Sequence, residues 1–124
     1  MPGFVLGPRE GPAYGFHGAH VVIKAPGEHT LGQLGVMEAT YPPGLSVHTH
    51  MHPGEDEMFY LLAGKLTGYC GEDSWTAAVG SFVFVPRDRP HSFTVTSSEP
   101  ATALVITGPA RLDRQIAVHG ESAP

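Results

Sequence analysis

Short apolar runs separated by turn residues recur along the whole chain. The runs return roughly every 8 to 12 residues, with Gly or Pro between most of them, a pattern typical of an antiparallel sandwich or barrel. The predicted strands are 20–24, 33–41, 45–52, 57–62, 65–70, 74–79, 81–85, 91–96 and 101–107. No segment has a convincing apolar spacing of about 3.6 residues. The best helical candidate, 110–118, could equally be a last strand or an arm exchanged between subunits.

The composition favours many short strands joined by turns. The 124 residues include 16 Gly and 12 Pro, about twice the usual share of these helix breakers. Hydrophobic residues make up 41% and charged residues 15%, enough apolar material for the core of one domain. Residues 1–18, rich in Gly and Pro, are expected to form an arm that packs across another element.

Charge and cysteine content narrow the classes of partner. A net charge of -5 disfavours nucleic acid or an anionic membrane as the main partner. No apolar run approaches the about 20 residues that a membrane span needs, and no secretory signal is visible. Cys70 is the single cysteine and cannot form an internal disulfide, so we expect a cytoplasmic protein.

Histidine is the unusual residue type, since the chain has eight His but only seven Lys and Arg. His48, His50 and His52 alternate on a predicted strand, and alternate residues of a strand point to one side. Glu57 follows a Pro-Gly break and is expected to open the next, antiparallel strand facing the same interior, while His91 begins a later strand. Three of these imidazoles and the carboxylate of Glu57 would make a four-ligand site for a divalent transition metal. A row of solvated histidines is the alternative, but it does not account for Glu57 and His91.

The histidines and the glycines around them resemble the two motifs of the cupin family. The first motif, G-x5-H-x-H-x3-4-E-x6-G, is matched in full by Gly44, His50, His52, Glu57 and Gly64. The second motif, G-x5-P-x-G-x2-H-x3-N, is matched by Gly80, Pro86 and His91. Two positions depart from it: Asp88 stands in place of glycine and Val95 in place of asparagine.

This resemblance implies an all-β fold, a double-stranded β-helix (a jelly-roll with a conical barrel). Residues 1–124 would form a single cupin domain with an N-terminal arm (1–18), motif 1 (44–64), motif 2 (80–95) and a C-terminal tail (108–124). The family ligands map onto His50, His52, Glu57 and His91, holding one divalent transition metal (Fe, Mn, Ni, Co, Cu or Zn). The resemblance also implies a homodimer, with the arm as the segment expected to cross between subunits.

A closer likeness is to the quercetin dioxygenase-like small cupins. Residues 7–14, 22–30 and 55–60 are similar to that subgroup, in which the metal binds a deprotonated flavonol and O2 cleaves the ring. The likeness implies a metal-dependent dioxygenase acting with O2 on a small enol or flavonol-like aromatic substrate. Glu57 could then detach and act as the general base. The alternatives are a non-redox metal-dependent lyase or isomerase, and a non-catalytic cupin that binds a small ligand.

Further residues are candidates for the pocket or for supporting the metal ligands: His48, Tyr14, Phe59, Leu61, Phe93 and Val95. Alternation places Phe59 and Leu61 on the face of Glu57, and Phe93 on the face of His91. Plain barrel core is the alternative for these apolar residues. His48 could be a supporting donor, a proton shuttle or an alternative ligand, although a solvated position at the rim is favoured. Arg87 and Arg89 precede His91 and could attract an anionic substrate, although solvated loop charges are commoner.

Overall fold

The computed structural model describes residues 2–124 and consists mainly of short antiparallel strands. In chain order the strands are β1 (Ala13–Phe16), β2 (Ala19–Ala25), β3 (Gly35–Tyr41), β4 (Ser46–His50), β5 (Asp56–Ala63), β6 (Leu66–Cys70), β7 (Asp73–Ala77), β8 (Phe82–Val85), β9 (His91–Val95), β10 (Ala101–Gly108) and β11 (Glu121–Ser122). A 3₁₀ turn (Gly27–His29) follows β2, and one helix, α1 (Leu112–His119), precedes β11. The predicted all-β class is confirmed.

The strands form two sheets that face each other across the core. The larger sheet has the order β11-β1-β2-β3-β10-β5-β8, and the smaller has the order β4-β9-β6-β7. Burial alternates residue by residue along β3 and β10, as expected where one face of a sheet is covered. The most buried apolar side chains include Met37, Leu61, Leu66 and Val105. This arrangement is the predicted jelly-roll barrel.

The chain changes sheets between β4 and β5, and this corrects one sequence-based expectation. β4 pairs with β9 in the smaller sheet, whereas β5 pairs with β10 and β8 in the larger one. Glu57 therefore does not lie on a strand adjacent to the histidine strand. The predicted strand 45–52 was also too long, because β4 ends at His50 and the Pro-Gly turn directs the chain to the other sheet.

The tail is a helix, which decides among the three alternatives for 110–118. α1 buries Leu112, Asp113 and Ile116 and so closes one side of the barrel. The chain then returns as β11, which pairs with β1. Within residues 2–124 no helix is long and apolar enough to span a bilayer.

Candidate metal centre

The four ligands inferred from the motif meet at one end of the barrel. His50 ends β4, His52 lies in the turn after it, Glu57 is the second residue of β5, and His91 is the first residue of β9. Each residue offers a ligand atom, and these atoms all lie within 4.8 Å of one another. Glu57 Oε1 is 3.2 Å from His91 Nε2 and 3.6 Å from His52 Nε2. Two strands of the smaller sheet, one strand of the larger and one turn therefore supply a single candidate metal site.

A β-bulge turns His50 inward and leaves His48 outside the cluster. Val47 pairs with Phe93 and His50 with His91, so β4 contains one more residue than β9 between these two pairs. Such a bulge breaks the alternation of side-chain direction. The expectation that His48 shares a face with His50 was therefore wrong. His48 is exposed and lines the rim of the cavity, and its backbone carbonyl, not its ring, lies 2.8 Å from His50 Nδ1.

Backbone carbonyls fix the orientation of two of the imidazoles. The carbonyl of His48 accepts from His50 Nδ1, and the carbonyl of Arg89 lies 3.1 Å from His91 Nδ1. A carbonyl only accepts, so both Nδ1 atoms carry the hydrogen, and in the neutral ring Nε2 is left as the free lone pair. This is the tautomer that a metal ligand needs.

The cluster has an excess of lone pairs that a cation would satisfy. His52 Nε2, Glu57 Oε1 and His91 Nε2 are each buried without a hydrogen-bond partner, although buried polar atoms in folded proteins nearly always have one. With its hydrogen on Nδ1, neutral His91 turns a lone pair towards the carboxylate of Glu57. Imidazole nitrogens and a carboxylate oxygen suit a divalent transition metal, so the residues fit the metal that the motif implies.

The pKa shifts of two of the histidines also reflect the charge of Glu57 and the burial of the cluster. Burial lowers the pKa of His91, but Glu57 and the Arg89 carbonyl outweigh it and raise the pKa above its ordinary value. Burial also lowers the pKa of His50, and the neighbouring histidines add to this effect. The site therefore stabilises positive charge beside Glu57 while keeping His50 neutral, as a ligand must be.

Glu55 is a buried carboxylate near the cluster that the motif analysis did not single out. Its side chain is 3% exposed, and Oε2 accepts hydrogen bonds of 2.8 Å from the backbone N–H groups of Arg111 and Leu112 at the start of α1. Oε1 lies 4.0 Å from His52 Nδ1. Glu55 thus joins the tail helix to the segment that carries His52. Its position two residues before Glu57 was the available signal.

Asp88 keeps the turn that glycine makes elsewhere in the family. Its φ is 66°, in the left-handed region that aspartate adopts more readily than most residues. Its N–H donates to the carbonyl of His52 (3.2 Å), and its Oδ1 accepts from the N–H of Gly54 (3.0 Å). The aspartate side chain therefore adds a hydrogen bond between the loop that precedes His91 and the turn that follows His52.

A cavity of about 530 Å³ opens over the cluster. Of the predicted pocket residues, Phe59, Phe93 and His48 line it. Tyr14, Leu61 and Val95 do not: Tyr14 lies on β1, and Leu61 and Val95 are buried in the core. Alternation gives the face of a strand but not the depth along the barrel, and Leu61 and Val95 lie four residues from Glu57 and His91, respectively.

The lining also contains residues that the sequence did not assign to a pocket. Most come from β2, β3, β10, α1 and the residue just before α1, namely Val21, Met37, Ala39, Tyr41, Val105, Arg111, Leu112, Gln115 and Ile116. Tyr41 is buried, and its ring meets that of Phe93 edge-on with centroids 5.1 Å apart. Burial, with a smaller effect of the Glu57 charge, raises the pKa of Tyr41 well above its ordinary value, so its hydroxyl stays protonated in the cavity.

A two-sheet barrel with a His-His-Glu-His cluster at one end defines a cupin. The model of the cupin domain family matches residues 37–107, and the chain belongs to this family. A comparison with curated proteins finds no match.

Solved structures support the fold. An RmlC-like cupin from Shewanella frigidimarina has 16% sequence identity and a TM-score of 0.73, covering 92% of this chain and 96% of that one. The protein TT1209 from Thermus thermophilus is 31% identical, with a TM-score of 0.59 over 63% of this chain and 74% of its own. A predicted oxalate decarboxylase from Thermotoga maritima is 22% identical, with a TM-score of 0.68 over 73% and 79%.

Proposed function

We propose that the protein is a metal-dependent dioxygenase of the quercetinase type, acting with O2 on a small enol or flavonol-like aromatic substrate. The observation that carries the proposal is the set of three buried ligand atoms of His52, Glu57 and His91 that have no hydrogen-bond partner, in a cluster whose His50, His52 and Glu57 line the cavity. A ligand set of this kind leaves coordination positions open on a metal that takes five or six ligands. The likeness of residues 7–14, 22–30 and 55–60 to quercetin dioxygenase-like cupins supplies the reaction type.

His50, His52, Glu57 and His91 are the residues that would hold the metal. Such a metal would supply Lewis acidity towards an enol oxygen and a redox centre for reaction with O2. Nδ1 of His50 and of His91 carries a hydrogen, and their Nε2 lone pairs would bind the metal, so these rings have no free site for a proton. Glu57 has a second carboxylate oxygen and is therefore the residue to accept the proton of the enol.

The walls of the cavity suit a flat substrate. Phe59 and Phe93 meet edge-on with ring centroids 5.7 Å apart, and both line the cavity with Met37 and Val105. Apolar and aromatic walls of this kind bind a planar ring and exclude water from the reacting end.

The test combines metal analysis with an O2-uptake screen. The protein is loaded in turn with Fe, Mn, Ni, Co, Cu or Zn and supplied with flavonols and 1,3-diketones. We expect one metal per chain and consumption of O2 with ring-opened product. His91→Ala should lose both metal and O2 uptake, while His20→Ala, at an exposed position on β2, should retain them.

Each other outcome has a distinct meaning. Stoichiometric metal in a folded His91→Ala variant would remove His91 from the ligand set. Substrate turnover without O2 consumption would indicate a lyase or isomerase. Tight ligand binding without product would indicate a binding cupin. In either of the last two cases the proposed dioxygenase reaction is wrong.

A further inference from the structure

Of the Lys and Arg residues in 2–124, Arg111 alone lines the cavity. Arg111 is the residue just before the tail helix, and Leu112 and Gln115 of that helix line the cavity beside it. Arg111 is exposed, so its guanidinium can be reached by a ligand entering from solvent. It lies outside both cupin motifs.

Arg111 is held in place at two points. Its backbone N–H is bound by the buried carboxylate of Glu55 at 2.8 Å, and its Nη1 donates to the carbonyl of Pro53 at 3.2 Å. Pro53 directly follows the metal-site residue His52. The guanidinium is therefore anchored over the turn that borders the cluster of candidate metal ligands.

Most of the hydrogen-bonding capacity of this guanidinium is unused. Arginine has five N–H donors, and the contact with Pro53 engages one of its nitrogens. The ion pairs found among residues 2–124 do not include Arg111. The nearby Glu55 carboxylate binds backbone N–H groups instead. A fixed guanidinium with free donors is suited to bind a planar carboxylate.

The two arginines expected from the sequence to attract an anion are not placed to do so. Arg87 binds Asp56 through its backbone N–H and its side chain, at 2.8 and 3.2 Å. The guanidinium of Arg89 lies against Gly71, and neither arginine lines the cavity. The cationic residue at the mouth is instead Arg111, which lies more than 40 positions beyond the end of motif 1.

We infer that Arg111 is a specificity-determining residue that binds an anionic group of the substrate at the mouth of the cavity. The substrate class is then an enol-bearing aromatic compound or diketone with a carboxylate at the end remote from the enol. The enol end reaches the metal cluster, and the carboxylate pairs with the guanidinium. This inference rests on the proposed function for the identity of the enol end only.

The test measures a preference between two probes of nearly equal shape. 3-Hydroxyflavone-4′-carboxylate and the matching 4′-carboxamide are titrated by calorimetry into protein loaded with Zn²⁺, a metal without redox chemistry that leaves the probes unreacted. We expect the carboxylate to bind roughly three- to tenfold more tightly, the range for a charge-assisted contact at an accessible site. Arg111→Gln should abolish this preference by weakening the binding of the carboxylate probe. Arg114→Gln removes an exposed arginine of α1 that does not line the cavity and should keep the preference.

The outcomes separate this inference from the proposed function. Equal binding of the two flavones to the wild type, or a preference retained in Arg111→Gln, overturns the role of Arg111 while the proposed function can stand. If neither flavone binds, the flavonol-like substrate class is wrong, and benzoate and benzamide become the probes. A benzoate-specific shift of the Arg111 Nε–H signal in an NMR titration would then support anion binding, and its absence would refute it.

Discussion

Replacing Glu55 by Ala should destabilise the protein strongly although the residue lies outside the metal cluster. Its Oε2 accepts two hydrogen bonds of 2.8 Å from the backbone at the start of α1, and the carboxylate also complements the positive end of the helix dipole. Alanine leaves both N–H groups without this acceptor, one of them on buried Leu112. The tail helix loses its attachment to the barrel at that point.

The size of the effect follows from these two bonds. A hydrogen bond to a charged group is worth about 1.5–3 kcal/mol, and release of the buried carboxylate offsets part of the loss. We expect the free energy of unfolding to fall by about 2–4 kcal/mol. For a domain of this size each kcal/mol shifts Tm by roughly 4 °C, so Tm should fall by roughly 8–16 °C.

Urea unfolding followed by circular dichroism measures this loss against two controls. Glu55→Gln keeps a carbonyl acceptor of similar shape and should lose about 1 kcal/mol. Glu72→Ala makes the same Glu-to-Ala change at an exposed turn position and should stay within about 0.5 kcal/mol of the wild type. A loss below about 1 kcal/mol in Glu55→Ala, or equal losses in Glu55→Ala and Glu55→Gln, would refute the role given to the two bonds.

Three further predictions concern the turn, the metal and the subunit structure. Asp88→Ala should lower the free energy of unfolding by about 1–2 kcal/mol, because it loses the bond to Gly54 and keeps a left-handed φ. Asp88→Gly should lose less, and a reversed order in urea unfolding would contradict this explanation. Metal affinity, measured by competition with a chelator, should fall as pH drops towards and below about 6, since ligand histidines must be neutral; constant affinity would point to other ligands. The protein should be a homodimer by light scattering, and a monomeric wild type would contradict this prediction. We expect the second copy to cover uncharged cross-strand neighbours on the outer face of the larger sheet, where Tyr60 pairs with Phe82 and Met58 with Phe84. Tyr60→Lys should then yield monomers.

The candidate metal ligands could be predicted from the sequence because they lie in short, local sequence motifs. Alternating histidines, a Pro-Gly break and a distant histidine with its own turn indicate a metal site, and the resemblance to the cupin motifs assigns His50, His52, Glu57 and His91 as its ligands, whichever sheet each strand joins. The direction of His48 was not predictable in this way. It depends on one extra residue between Val47 and His50, and a bulge is visible only in the pairing of β4 with β9.

The residues that the sequence missed are those whose role depends on distant contacts. Glu55 and Arg111 are 56 positions apart and meet only because α1 folds back onto the barrel. Leu61 and Val95 lie on the predicted faces but too far along their strands to reach the cavity. Periodicity reports which side of a strand is buried, whereas depth and long-range pairing are properties of the assembled barrel.

The segment 52–55 shows how these distant contacts control the metal site. His52 is the one candidate ligand outside a strand, so its position depends on what holds this turn. Asp88 of motif 2 binds the turn from one side through the His52 carbonyl and the Gly54 N–H. From the other side, Arg111 donates to a carbonyl of the turn, and Glu55 is bound by the start of α1. These hydrogen bonds from motif 2 and from the tail restrain the turn on both sides, so the tail helix helps to position the His52 side chain as well as forming part of the cavity wall.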